Sequence, residues 1–274
     1  MPLFDFDYED SQEFVFGDGK YALMKFTADN EIAKIDGLSK LDIEYMKLES
    51  WALVARNPDV NKYKQEINLL LLAFKIYKLA RLFIKYRLCK EDTNLCSRIN
   101  ETMQYILPEK SSREITLNDL EIINKGFSHI LKMVNVSNRA HNALYFLYRG
   151  FFSTHWIDSF ILLMCALESL FSKEERGEAT KTICSRVSKF LDSKPRCGYK
   201  DIESLYNIRS KMVHGNIVAN DDPKDNLIKL HDLEYVVTEC MKKILDEQIY
   251  LKYSNVQQKE IYFNQMVKMT VFLK

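Results

Sequence analysis

The sequence predicts a mainly α-helical protein: a C-terminal up-and-down helical bundle, preceded by a helical N-terminal region that opens on a short β-hairpin. Three observations predict it. The 274 residues include only 8 glycines and 5 prolines, too few for the many turns of a sandwich or barrel. Apolar residues recur at three- and four-residue steps over long stretches, the period of a helix with one buried face. A hydrophobic fraction of 47% beside 28% charged residues is that of a globular core under a solvated surface.

The elements follow in chain order. Glu13-Phe-Val-Phe and Lys20-Tyr-Ala-Leu-Met-Lys-Phe-Thr flank Gly17-Asp-Gly19, which reads as a hairpin. Asp5, Asp7, Glu9, Asp10, Glu13 and Asp18 precede the first basic residue, Lys20, so the chain begins as an acidic, solvated ribbon. Leu41 to Arg56 has helical spacing and Asn57-Pro58 ends it. A long helix is expected from about Asn61 to Lys90, burying Ile67, Leu70, Leu71, Phe74, Ile76, Leu79, Leu82 and Phe83. Its other face carries Lys75, Lys78, Arg81, Lys85 and Arg87. That face is either a solvated balance to the acidic start or, through Lys75, Lys78, Arg81 and Lys85, a contact for an RNA backbone. A further helix is expected from Leu95 to Ile106.

Pro108 to Arg113 is short, polar and opened by proline. It reads as a linker between a region of residues 1–112 and a second domain of residues 113–252, with 253–274 as a tail or short helix. Thr116 has the character of an N-cap, with Asp119 three residues on and Leu117, Leu120 and Ile123 starting an apolar stripe. Helical spacing runs through Leu131, breaks near Asn135–Asn138, and resumes from Ala140 to Phe152. Tyr145, Phe146, Tyr148, Phe151, Phe152 and Trp156 lie at helical spacing, which favours core or dimer interface over a base-stacking platform. A strongly apolar helix follows from Ile157 to Phe171, a basic amphipathic one from Thr180 to Leu191, and a last long one from Leu227 to Tyr250.

Composition narrows the function. Lys and Arg number 39 against 38 Asp and Glu, a net charge of +1, so any contact with RNA is a local patch and not a coating. The six cysteines are scattered without a C-x-x-C pair, which indicates reduced thiols in a cytoplasmic protein and no zinc knuckle. His129, His141, His155 and His231 lack partners at metal-ligand spacing and read as surface or satisfied core residues. The acidic start is unlike a signal peptide, and charges at Lys75, Asp158 and Glu168 interrupt the most apolar stretches before a membrane span accumulates. There is no Walker loop, G-x-G-x-x-G, H-E-x-x-H or G-x-S-x-G.

One stretch remains that can carry chemistry. Ser204-Leu-Tyr-Asn-Ile-Arg-Ser-Lys-Met-Val-His-Gly-Asn216 sets Arg209 and His214 near a predicted helix end, with four residues between them. Leu205, Ile208 and Met212 form its buried stripe, and Gly215 is a natural C-terminal cap. A histidine in a last helical turn faces the negative end of the helix dipole, which favours imidazolium. An arginine can grip a phosphate while such a histidine moves a proton.

The string Leu205 to Gly215 closely resembles the signature helix of HEPN domains, in particular the ApeA-like branch. Ala166-Leu-Glu-Ser-Leu-Phe171, Thr180 and Arg186-Val-Ser-Lys-Phe-Leu191 resemble that family in order and spacing too, over roughly residues 115–252. The resemblance implies a helical bundle that pairs with a second copy so that two Arg-His motifs face one cleft. It further implies a metal-independent endoribonuclease without cofactor, leaving a 2′,3′-cyclic phosphate and a 5′-hydroxyl. Arg209 would bind the phosphate and His214 would transfer protons. Ser210 would orient the pair. Asn216 stands where another branch of the family has tyrosine, which puts regulation through a modified tyrosine in doubt. Glu168, on an apolar stripe, needs a cationic partner if it is buried, and Arg209 or Arg186 is expected to supply it. Such an enzyme fits a toxin or phage-defence effector with an antitoxin or sensor partner. The alternative is a non-catalytic module that dimerises or holds RNA or nucleotide.

Overall fold

The computed structural model describes residues 13–25, 51–55, 60–78, 86–88, 96–98, 115–173, 179–192, 194–215 and 224–269. The described residues are mainly helical, with a small three-stranded antiparallel sheet. They form two compact units, divided after Ser128 inside one helix.

In the first unit, β1 (Phe14–Phe16) and β2 (Tyr21–Lys25) make the expected hairpin, Phe16 opposite Tyr21. Gly17, Asp18 and Gly19 all have positive φ, a turn that two of three residues enter without a Cβ penalty. Asn124 accepts a hydrogen bond from the Gly17 N–H at 3.1 Å, and Tyr21 donates to Glu66. β3 (Trp51–Ala55) then pairs antiparallel with β2, Leu23 opposite Leu53. This corrects the helix expected from Leu41 to Arg56 over its last turn; residues 41–50 lie outside the described residues. Helix α1 (Val60–Lys78) starts as expected but is followed by strand β4 (Tyr86–Leu88), paired with β5 (Cys96–Arg98). The helices expected to reach Lys90 and to span Leu95–Ile106 are therefore corrected to a two-stranded ribbon at those positions. Residues 70–76 of α1 are buried all round.

Helix α2 (Leu117–Met133) opens on the predicted cap: the Asp119 N–H donates to Thr116 Oγ1 at 3.2 Å and the Thr116 N–H to Asp119 Oδ2 at 2.9 Å. Ile123 and Phe127 are buried in the first unit, and the Phe127 ring meets Tyr21 edge-on.

The second unit is the helical bundle. After a turn at 134–136, α3 (Asn138–Phe151) starts at Ser137, whose hydroxyl accepts from the Ala140 N–H. It forms a hairpin with α4 (Trp156–Phe171). Ala140, Ala143, Leu144, Leu147 and Gly150 face inward. Gly150 is the point of closest approach: Ser159 Oγ donates to its carbonyl at 2.7 Å, and a Cβ there would lie 2.9 Å from two atoms of the fully buried Leu163. Alanine at Gly150 would gain about 1 kcal/mol of helix propensity. The clash with a side chain that cannot move aside outweighs it, so Gly150→Ala is expected to lose a net ~1–3 kcal/mol, measurable by urea denaturation.

α5 (Ala179–Phe190), α6 (Tyr199–Val213) and α7 (Lys224–Asp246) follow, then a 3-10 turn (Ile249–Ser254) and α8 (Val256–Met269). The apolar α4 has no basic residue in its own last turn, yet its carbonyl end is neutralised from outside. Tyr253 donates to Leu170 O at 3.0 Å, Arg186 to Phe171 O at 3.0 Å, Lys259 to Ser172 O at 2.8 Å and Arg139 to Ser172 Oγ at 2.7 Å. Four elements thus meet on the negative end of one helix. Phe171, Phe190 and Phe263 pack ring against ring beside them. No helix among the described residues is long and apolar enough to cross a membrane.

Candidate functional site

The site is the C-terminal half of α6 set beside α4. α6 begins where the Asp201 carboxylate accepts from the Gly198 N–H at 3.0 Å, and the preceding loop is tied to α7 by Lys194–Glu239 at 2.6 Å and Arg196–Asp232 at 3.4 Å. Leu205 and Met212 are buried and Ile208 half-buried, as the stripe requires. The helix stops at Val213. His214 is its C-cap, donating its N–H to Ser210 O at 3.0 Å, and Gly215 takes φ +75°. This end geometry is the one the glycine predicted.

The pieces converge in part. Arg209 Nη2 lies 3.7 Å from Glu168 Oε1, each side chain 32% exposed. Tyr206, one turn before Arg209 and buried, donates to the same Glu168 oxygen at 3.2 Å. Burial, with the Glu168 charge beside it, pushes the Tyr206 phenol far above its ordinary range, so it stays a protonated donor. Burial also raises the Cys165 thiol, aided by Glu168 and opposed by Arg209. An ion pair of this length and exposure is worth about 0–1 kcal/mol, so it orients Arg209 more than it stabilises the fold.

The two arginines of the motif region differ sharply. Arg186 is 2% exposed, bonds Glu260 through both terminal nitrogens, and reaches Asn264 and the Phe171 carbonyl as well. Its donors are committed to structure, so the partner of Glu168 is Arg209 and not Arg186. Arg209, by contrast, has its Nε buried with no hydrogen-bond partner and only the long contact to Glu168. A guanidinium held in place and 32% exposed can still take a phosphate oxygen through its terminal nitrogens.

His214 is exposed, as are Ser210 and Lys211. Five positions along a helix turn the chain by about 140° beyond a full revolution. One copy therefore directs Arg209 toward α4 and leaves His214 at the open end. Asn216 lies outside the described residues. Of the basic face expected on α1, Lys75 is 6% exposed; it sits in an all-round apolar stretch and is no surface contact. Lys78 pairs with Asp119 at 2.5 Å, and Arg81 and Lys85 lie outside the described residues. His129 is buried against the Tyr250 hydroxyl at 3.1 Å, a satisfied core histidine.

Sequence reasoning missed Tyr206, although its three-residue step to Arg209 places both on one helix face. Among the described residues, no three His, Cys, Asp or Glu side chains are grouped so as to hold a metal ion. No protein-family model, curated protein or solved structure matches the chain.

Proposed function

We propose that the chain is a metal-independent endoribonuclease of HEPN type, acting where two copies bring their α6 ends to one cleft. The observation that carries this reading is the contrast at Arg209: oriented by Glu168 and Tyr206, but still partly exposed and only loosely paired, five residues from an exposed histidine at a helix C-terminus. RNA supplies its own nucleophile. A base takes the proton of the 2′-hydroxyl, the 2′-oxygen bonds to phosphorus, and the bond from phosphorus to the 5′-oxygen breaks. An acid protonates that oxygen, leaving a 2′,3′-cyclic phosphate and a 5′-hydroxyl. Base and acid act on opposite sides of the phosphate, so a His214 from each copy suits the two roles. Arg209 stabilises charge on the phosphorane. An enzyme of this kind on cytoplasmic RNA needs restraint, which suits a toxin or phage-defence effector held by residues 1–112, an antitoxin or a sensor.

A second reading, a non-catalytic module that dimerises or holds RNA or nucleotide, is favoured by the Glu168 contact, which occupies one edge of the guanidinium. The two part in one assay. Purified protein is incubated with end-labelled RNA in EDTA, and the products are treated with a phosphatase that spares cyclic phosphates. Cutting in chelator with phosphatase-resistant 3′ ends is expected. Absent or metal-dependent cutting would overturn the ribonuclease reading.

A further inference from the structure

α3 has an outer face unlike that of an ordinary surface helix. Such a face is normally laid with charges of both signs. Here His141, Tyr145, Tyr148 and Phe152 follow one another at three- and four-residue steps, with Arg149 four residues beyond Tyr145, opposite the buried Ala140, Ala143, Leu144 and Leu147. Tyr145 is 53% exposed, His141 and Arg149 are exposed, and Tyr148 and Phe152 are half-buried. The Tyr148 and Phe152 rings lie against each other, 4.9 Å apart at 35°, while Tyr145 leans on Phe146 at 5.7 Å. The stripe runs about 16 Å at 1.5 Å per residue.

Its charge is equally one-sided. Between Glu121 and Glu168 the sequence has a single acid, Asp158, although acids number 38 in the 274 residues. The same interval carries Lys125, Lys132, Arg139 and Arg149. Arg139 is engaged with Ser172, but Lys132 and Arg149 stand exposed. An exposed ring and an exposed cation on a helix without an acid are what a single strand requires: a base stacks, and a phosphate meets positive charge.

We infer that this face of α3 binds single-stranded nucleic acid, with Tyr145 stacking a base and Arg149 meeting a backbone phosphate. That the strand is RNA rests on the ribonuclease reading above; the stacking does not. Self-association through the same face is the weaker fit. A two-fold contact sets a patch against itself, which would bury Arg149 of each copy against a stripe with no acid to pair it.

The test uses the full chain carrying His214→Ala, so that RNA stays intact, with fluorescein-labelled U12 and dT12 and anisotropy as the readout. Adding Tyr145→Ala is expected to weaken binding about tenfold, and Tyr145→Phe to leave it unchanged. Arg149→Ala should lower the slope of log affinity against log salt by about 0.7. Unchanged affinity for Tyr145→Ala, or no binding by the starting protein, overturns the proposal. So does a drop in mass by light scattering for Tyr145→Ala without loss of binding, which would assign the face to a second copy. If dT12 or U12 binding is lost with Tyr145→Ala while the unsubstituted protein cuts no RNA, the α3 face stands and the ribonuclease reading falls.

Discussion

His214→Ala is expected to lower the rate of RNA cleavage by about 10²–10⁴-fold, the range that a positioned acid or base supplies, with the thermal midpoint nearly unchanged. The structural half of this expectation comes from the helix end. The imidazole is exposed, and what caps α6 is the backbone: the His214 N–H on Ser210 O, the Gly215 N–H on Met212 O and the positive φ of Gly215. None of these needs the side chain. Arg209→Ala should lose about 10²–10³-fold through the missing phosphate contact. Arg209→Lys should recover little, because an ammonium cannot reproduce the planar fork. If the two residues act as a unit, the double variant falls no further than the worse single one. Because one copy turns Arg209 and His214 to different sides, the rate per chain should also fall on dilution below the dimer dissociation constant. Full cutting by His214→Ala in a phosphate-end assay would end the proposal for this residue.

The parts of the fold legible from sequence were those whose cause is local. The cap at Thr116, the break at residues 134–136, the extent of α4 and the stop at Gly215 each follow from residues within one or two turns. Trp51-Ala-Leu-Val-Ala was read as helix because a short apolar run has no decisive period; pairing with β2, some thirty residues away, makes it a strand. Three-residue strands such as β4 and β5 are too short for any period to show in them. Lys75 shows a different failure. Charge placed it on an outer face, but its flanks, Leu70-Leu-Leu-Ala-Phe and Ile76, leave that turn no polar side, and the helix is enclosed there. At the site, the sequence offered Glu168 two arginines and could not choose. The choice was made by Glu260, which lies 74 residues beyond Arg186 and outside the stretch with the family resemblance.

Arg186→Ala is expected to destabilise the bundle by roughly 3 kcal/mol, the lower end of the effect of removing one partner of a buried ion pair, because the stranded Glu260 is only partly buried. For a chain of this size that lowers the melting midpoint by roughly 10 °C. Four groups lose their donor or neighbour together: both Glu260 oxygens, Asn264 Oδ1, the Phe171 carbonyl, and the Phe263 ring beneath the guanidinium at 5.2 Å. Lys259, 3.7 Å from Glu260 and bonded to Ser172 O, compensates only part of the stranded charge. The double variant Arg186→Met, Glu260→Met should be less damaged than the single one, since it removes the carboxylate that Arg186→Ala strands, although Lys259 loses its 3.7 Å contact with Glu260. The same pair sets a pH dependence. Partial burial pushes the Glu260 carboxyl upward, but the Arg186 hydrogen bonds and charge outweigh it and hold the group below its ordinary value of 4.5. A carboxyl depressed in the folded state contributes its full stability above the unfolded value and loses it as pH falls through the lower folded one. The stability of the unsubstituted protein should therefore drop below about pH 4.5, and Glu260→Gln should flatten that limb in denaturation curves taken from pH 7 to pH 3. An unaltered limb, or an Arg186→Ala variant as stable as the parent, would mean that the carbonyl end of α4 is held by its other three donors alone.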